Sequence, residues 1–176
     1  MQPVQLGGLR VERVVESDAI IPMQMALPQI GAADLAQLRE WFWDDVLAPD
    51  PAQAGLKISV HSYVLRVDGR NILIDTCVGN DKTRCVPFAD HLQLPYLENL
   101  AATGLVPEDI HLVLCTHLHG DHVGWNTRLA NGRWVPTFPN ARYLMARREF
   151  EYWRGEHDND EQRAVFADFA LAPAAA

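Results

Sequence analysis

Cysteine is scarce in this chain. Only Cys77, Cys85 and Cys115 occur among its 176 residues. An odd count without regular spacing excludes a disulfide framework. Reduced thiols in a cytoplasmic protein are the simpler expectation, with Cys77 and Cys115 packed as small core residues. Long hydrophobic runs are missing too. No window approaches the roughly 20 apolar residues of a membrane span. Met1–Arg10 holds no basic stretch followed by an apolar core, so no signal peptide is expected. Basic residues are few, 15 Lys and Arg against 23 Asp and Glu, for a net charge of -8. That balance argues against a nucleic-acid or anionic-membrane surface.

What remains is material for one folded domain. Apolar residues make up 48% of the chain, enough for a core, and the length suits a single domain over 1–176. Residues 172–176, low in complexity, are expected to fray. Leu9–Val15 alternates apolar and polar and reads as a strand with one wet face. Ile20–Pro28, broken by two prolines, reads as extended loop. Asp34–Val46 has helical spacing of Leu35, Leu38, Trp41, Phe42 and Val46. Lys57–Val67 and Asn71–Thr76 are the clearest strands, joined by Asp68-Gly69. That dipeptide suits a tight turn with both central residues at positive φ. Ile72, Leu73 and Ile74 predict a strand covered on both faces.

Tyr96–Thr103 is a predicted helix closed by Gly104, and Pro107–Asp109 one further helical turn. Ile110–Cys115 is a predicted strand. Arg142–Met145 is another, and Arg147–Trp153 and Glu161–Leu171 are predicted helices. Interleaved strands and helices give an α/β or α+β class.

The strand ending at Cys115 runs straight into Thr116–Asn126, THLHGDHVGWN. In an extended segment His117 and His119 face the same side, so both imidazoles can meet one metal ion. Gly120 is expected to let the chain bend sharply, bringing Asp121 and His122 to the same pocket beside a second ion. Imidazole and carboxylate ligands, with no thiolate except the nearby Cys115, suit zinc, iron or manganese and an open, catalytic site. Two such ions roughly 3.5–4 Å apart can share a hydroxide and clamp an attacked oxygen.

His117-x-His119-x-Asp121-His122 resembles the signature of the metallo-β-lactamase superfamily. The stretch "NILID" from Asn71 to Asp75, followed by Thr76 and Gly79, is similar to the family strand that ends in an aspartate supporting the metal loop. The segments "GLVPEDIHLVLCTHLHGDHVGWN" and "RWVPTFPNARYLMARREFEYW" resemble the lactonase-like and methyl parathion hydrolase-like branch. The match covers roughly residues 55 to 155. The resemblance implies a four-layer αββα sandwich and two zinc ions, with iron or manganese as alternatives. His117 and His119 would bind the first ion, and Asp121 and His122 the second. Asp75 would hold a histidine or the loop from behind. A metal-held hydroxide would attack a lactone or other ester-like small molecule, with Asp121 also orienting the nucleophile or taking its proton.

The family also uses a histidine, a bridging aspartate and a second histidine further along. After His122 the chain holds only His157, in the acidic segment "RGEHDNDE", and it is not expected to be a ligand. The chain therefore reads as the N-terminal half to two-thirds of the sandwich. The alternative to a hydrolase is a non-catalytic, weakly metal-binding remnant or interaction module. Sheet surface left uncovered by such a half would favour self-association into a homo-oligomer. Of the other histidines, His61 is read as a core or edge residue with a pocket role as the alternative, His91 as a loop residue near the pocket edge, and His111 as structural. Trp41, Phe42 and Trp43 are read as core packing, with a substrate-entrance or dimer-contact role, as the resemblance implies, as the alternative. Trp125 either walls the pocket or anchors its loop.

Overall fold

The computed structural model describes residues 2–22, 27–29, 34 and 55–155. Two compact units divide the chain, Met1–Glu16 with Val60–Ala176, and Ser17–Ser59. The first carries the candidate site. The second holds the far ends of two strands and lies mostly outside the described residues. So do the predicted helix Asp34–Val46 apart from Asp34, the Trp41–Trp43 cluster, the predicted helix Glu161–Leu171, and His157.

Eight strands are described: β1 (Val4–Leu6), β2 (Leu9–Pro22), β3 (Gly55–Val67), β4 (Arg70–Ile74), β5 (Leu112–Leu114), β6 (Thr127–Ala130), β7 (Arg133–Pro136) and β8 (Arg142–Leu144). Three α-helices have described bounds: α1 (Tyr96–Ala101), α2 (Gly120–Val123) and α3 (Arg147–Gly155). A mixed six-stranded sheet has the order β1-β2-β3-β4-β5-β8, and β6 and β7 form a separate hairpin.

The turn between β3 and β4 follows its sequence. Asp68 (φ 48°) and Gly69 (φ 69°) are both left-handed, and Val67 sits opposite Arg70. Two hairpins were not expected. β1 pairs with β2 around Gly7-Gly8, with Gly7 at φ 60°. The β6–β7 hairpin turns at Asn131 and Gly132, φ 52° and 73°. Asn-Gly is a strong hairpin signal.

The core row is set by register. Val64 faces Leu73, Leu73 faces Val113, and Val113 faces Tyr143 across β3, β4, β5 and β8. All four are buried and form one cluster with Tyr96 and Leu100 of α1. Burying each such side chain stabilises the fold by about 1.5–3 kcal/mol. Ile72 and Ile74, on the other face of β4, are only half-buried. The coverage of both faces expected for β4 is thus partial among the described residues.

Several boundaries differ from expectation. β2 continues through Ile20 and Ile21 to Pro22, where a proline at the last strand position interrupts little of the ladder. Its more buried face carries Glu12, Val14 and Glu16, not the apolar positions of the alternation. Glu12 is held by Arg10 and Arg66 at 2.9 and 2.7 Å. β4 ends at Ile74, because Asp75 leaves the strand at φ 57°. Gly104 (φ 80°) closes the α1 segment as expected, its N–H donating to the Ala101 carbonyl at 2.8 Å. No described helix is long and apolar enough to cross a membrane.

Candidate metal centre

Parallel pairing decides where the site forms. β4 runs parallel to β5, with Ile74 opposite Leu114. The residues just past both C-terminal ends, Asp75 and Thr116, therefore emerge side by side. Ends of parallel strands are where open α/β sheets place ligands. The ladder extends one step further, with Asp75 N–H donating to the Leu114 carbonyl at 2.9 Å.

Asp75 then grips the next loop. Its Oδ1 accepts the Thr116 backbone N–H at 2.7 Å, and its Oδ2 accepts the Thr116 hydroxyl at 2.7 Å. The same Oδ2 lies 2.9 Å from His122 Nδ1. Burial works against the Asp75 charge, but hydrogen bonds from His122 and Thr116 outweigh it and hold its carboxyl below the usual range. From behind, the Ser62 hydroxyl donates to the Asp75 carbonyl at 2.7 Å.

The three motif histidines come together. The His117 ring lies 4.7 Å from that of His119 and 3.9 Å from that of His122, centroid to centroid. Asp121 Oδ2 is 3.4 Å from His122 Nε2. The bend between them is not the glycine bend expected. Gly120 opens a single helical turn, α2, with His119 extended at φ -71° and ψ 156° just before it. The extended His119 and the helical turn after it together bring the His122 ring back to His117.

Electrostatics separate the histidines. Burial, then the neighbouring His122 and His119, lower His117, favouring the neutral imidazole a metal needs. Burial also opposes charge on His122, but hydrogen bonds to Asp121 and Asp75 prevail and raise it to about 9. The His122 hydrogen bond is the main cause that lowers Asp121.

These donors match a zinc-type ion in chemistry. Their number does not complete a site. Among the described residues, no group of three or more His, Cys, Asp or Glu side chains is disposed to hold one ion. His122 in particular has both ring nitrogens facing carboxylates.

Sequence reading missed several supports of the loop. Glu149 on α3 accepts the Leu118 N–H at 3.2 Å, and Trp153 on the same helix sets its ring edge-on to His119 at 5.6 Å. Arg84, on the loop after β4, donates to the Val78 and Gly120 carbonyls at 3.1 and 3.3 Å. Glu16 lies one residue beyond the strand expected at Leu9–Val15 and is part of the longer β2. No local pattern marks these positions, since each depends on long-range packing.

Trp125 anchors its loop. It is buried, stacks on Tyr96 at 5.2 Å, and donates from Nε1 to Glu16 at 2.7 Å. Cys77 and Cys115 are buried, and burial pushes both thiols up, Cys115 to about 11. His61, on β3, meets Tyr63 edge-on at 4.8 Å and points away from buried Ser62. His91 is exposed beside Asp90. His111 Nδ1 accepts the Asn71 N–H at 3.1 Å, a structural contact.

The model of the Metallo-beta-lactamase superfamily matches residues 56–171. The chain belongs to that superfamily. The N-acyl homoserine lactonase AttM of Azorhizobium caulinodans is 45% identical over 51 residues, 29% of this chain and 16% of that protein. Among solved structures, the dizinc quorum-quenching lactonase AidC, in complex with an N-acyl homoserine product, superposes with a TM-score of 0.73 at 19% identity. The match covers 97% of this chain and 58% of AidC. A probable metal-dependent hydrolase from Staphylococcus aureus gives a TM-score of 0.68 at 16% identity, over 94% of this chain and 56% of its own. The fold is that of the metallo-β-lactamases, and the chain spans little more than half the length of these two structures, while its match to AttM covers 16% of that protein.

Proposed function

We propose that this chain carries the metal-binding loop of a hydrolase acting on a lactone or other ester-like small molecule. The observation that supports it best is the pairing of Asp75 with Thr116 and His122 while the three histidine rings crowd within 3.9–4.7 Å. In this reading His117 and His119 hold a first ion, and Asp121 and His122 contribute to a second. Zinc is the first choice, given the dizinc relative. Iron and manganese accept the same donors. Bound ions of this kind supply Lewis acidity and ionise water near neutral pH. Asp75 orients His122 and the Thr116 backbone, and in this reading Asp121 orients the nucleophile or takes its proton. The residues 1–176 form an incomplete metallo-β-lactamase-like domain in this reading, and its thiols suit a reducing, cytoplasmic setting.

A second reading is favoured by one observation, the lack of any three-donor group among the described residues. In it the chain binds metal weakly and turns nothing over. The two readings separate on zinc-loaded protein offered an N-acyl homoserine lactone and an aryl ester. Near-stoichiometric zinc with turnover supports the hydrolase. Substoichiometric zinc without turnover supports the weak binder.

A further inference from the structure

Glu16 is a carboxylate buried to 3% exposure on the core-facing side of β2. Its Oε2 accepts the Val78 N–H at 2.9 Å. Its Oε1 accepts the Gly79 N–H at 2.9 Å and the Trp125 Nε1–H at 2.7 Å. Three donors satisfy the group, as burial of a charge requires. These donors belong to two different loops, the one that leaves Asp75 and the one that follows His122.

The two loops are joined along their backbones. Thr76 N–H donates to the His122 carbonyl, Gly124 N–H to the Cys77 carbonyl, and Trp125 N–H to the Thr76 carbonyl, each at 2.8 Å. They approach so closely that a Cβ on Gly124 would lie 1.7 Å from the Val78 carbonyl oxygen. Stacking on Tyr96 fixes the plane of the Trp125 indole. The Trp125 N–H therefore points in one direction, and Glu16 is the group that meets it.

We propose that Glu16 is a positioning residue for His122. By holding Val78, Gly79 and Trp125 together, it sets the strap whose far end is the His122 carbonyl, and so the placement of the His122 ring against Asp75. The inference rests on reading His117 to His122 as the working loop. A strand that turns two glutamates inward departs from local patterning, and such departures concentrate at functional sites. Glu12 is accounted for by its two arginines. The hydrogen bonds to Glu16 from Val78, Gly79 and Trp125 come from the loops around the motif.

The test uses the full chain, first without metal. Glu16→Gln keeps the size of the side chain and one good acceptor. Trp125→Phe keeps the stacked ring and removes a single donor. Imidazole nitrogen resonances are followed by long-range proton–nitrogen correlation, with His111 as an internal reference beyond the opposite end of β5. Both variants are expected to move the His122 ring resonances and leave those of His111 in place. Cobalt(II) titration is expected to show an affinity loss of about 10-fold or more, as for other groups that orient metal ligands. Glu16→Ala should lose more than Glu16→Gln. Folded variants with unmoved His122 resonances would overturn the proposal, since a merely structural Glu16 lowers stability without moving that ring. If the wild type takes up no cobalt while both variants still move His122, the metal reading fails and the positioning role stands.

Discussion

Asp75 holds Thr116 at two points, its backbone N–H and its hydroxyl, each at 2.7 Å. Removing that carboxylate frees the start of the histidine loop and leaves His122 without its Nδ1 partner. Asp75→Ala is expected to lower stability by about 2–4 kcal/mol and zinc affinity by about 10- to 100-fold. Urea denaturation and calorimetric titration check the two effects separately. Thr116→Val, which keeps the backbone contact, should cost about 1 kcal/mol.

The approach of Gly79 to Gly124 leaves no room for a side chain. A Cβ at Gly124 would sit 1.7 and 2.0 Å from the Val78 carbonyl oxygen and carbon. Backbone cannot yield as a flexible side chain would. Gly124→Ala is therefore expected to cost more than about 3 kcal/mol or to abolish folding. Gly8→Ala, with nothing within 4 Å of its added carbon, should change stability by less than about 0.5 kcal/mol. Thermal melts of the two variants give the comparison.

Burial raises the Glu16 carboxyl above its ordinary value of 4.5, against the opposing hydrogen bonds from Val78, Gly79 and Trp125. A carboxyl with a raised folded value binds its proton more tightly in the native state. Its stabilising contribution is thus full below the ordinary carboxylate range and declines as pH rises through the folded value. The stability margin of wild type over Glu16→Gln should shrink between pH 4 and pH 8. A margin that grows with pH would mean that the three N–H donors, not burial, dominate the group.

Thiol chemistry offers an independent check on the core. Cys85 is exposed, whereas Cys77 and Cys115 are buried and their thiolates disfavoured. Iodoacetamide at neutral pH should modify Cys85 alone in native protein, and all three cysteines after denaturation. Mass spectrometry of the digested protein reads the outcome directly.

Much of the site could be read in the chain because it is local. His117, His119, Asp121 and His122 fall within six residues, and the apolar run before them marks the strand that delivers them. Asp68-Gly69 marks its own turn, and Asp75 stands at the end of a recognisable strand. Glu16 and Glu149 could not be read this way. Their partners lie 62 and 31 residues away, and no short-range period records such contacts. Gly120 opens a helical turn instead of the sharp bend expected of it, for a related reason. Glycine permits a left-handed bend but does not require one, and here a helical turn brings His122 round. The Asn131-Gly132 hairpin was legible and was missed, because the strands it joins are only four residues each.

The central claim is that the loop from His117 to His122 gathers metal. Calorimetric titration of the metal-free full chain with zinc, alongside His117→Ala, His119→Ala and the double variant, tests it most directly. Saturable binding by the wild type, weakened by each single change and abolished in the double variant with the fold intact by circular dichroism, is the result expected. Zinc uptake by the double variant equal to that of the wild type would contradict it.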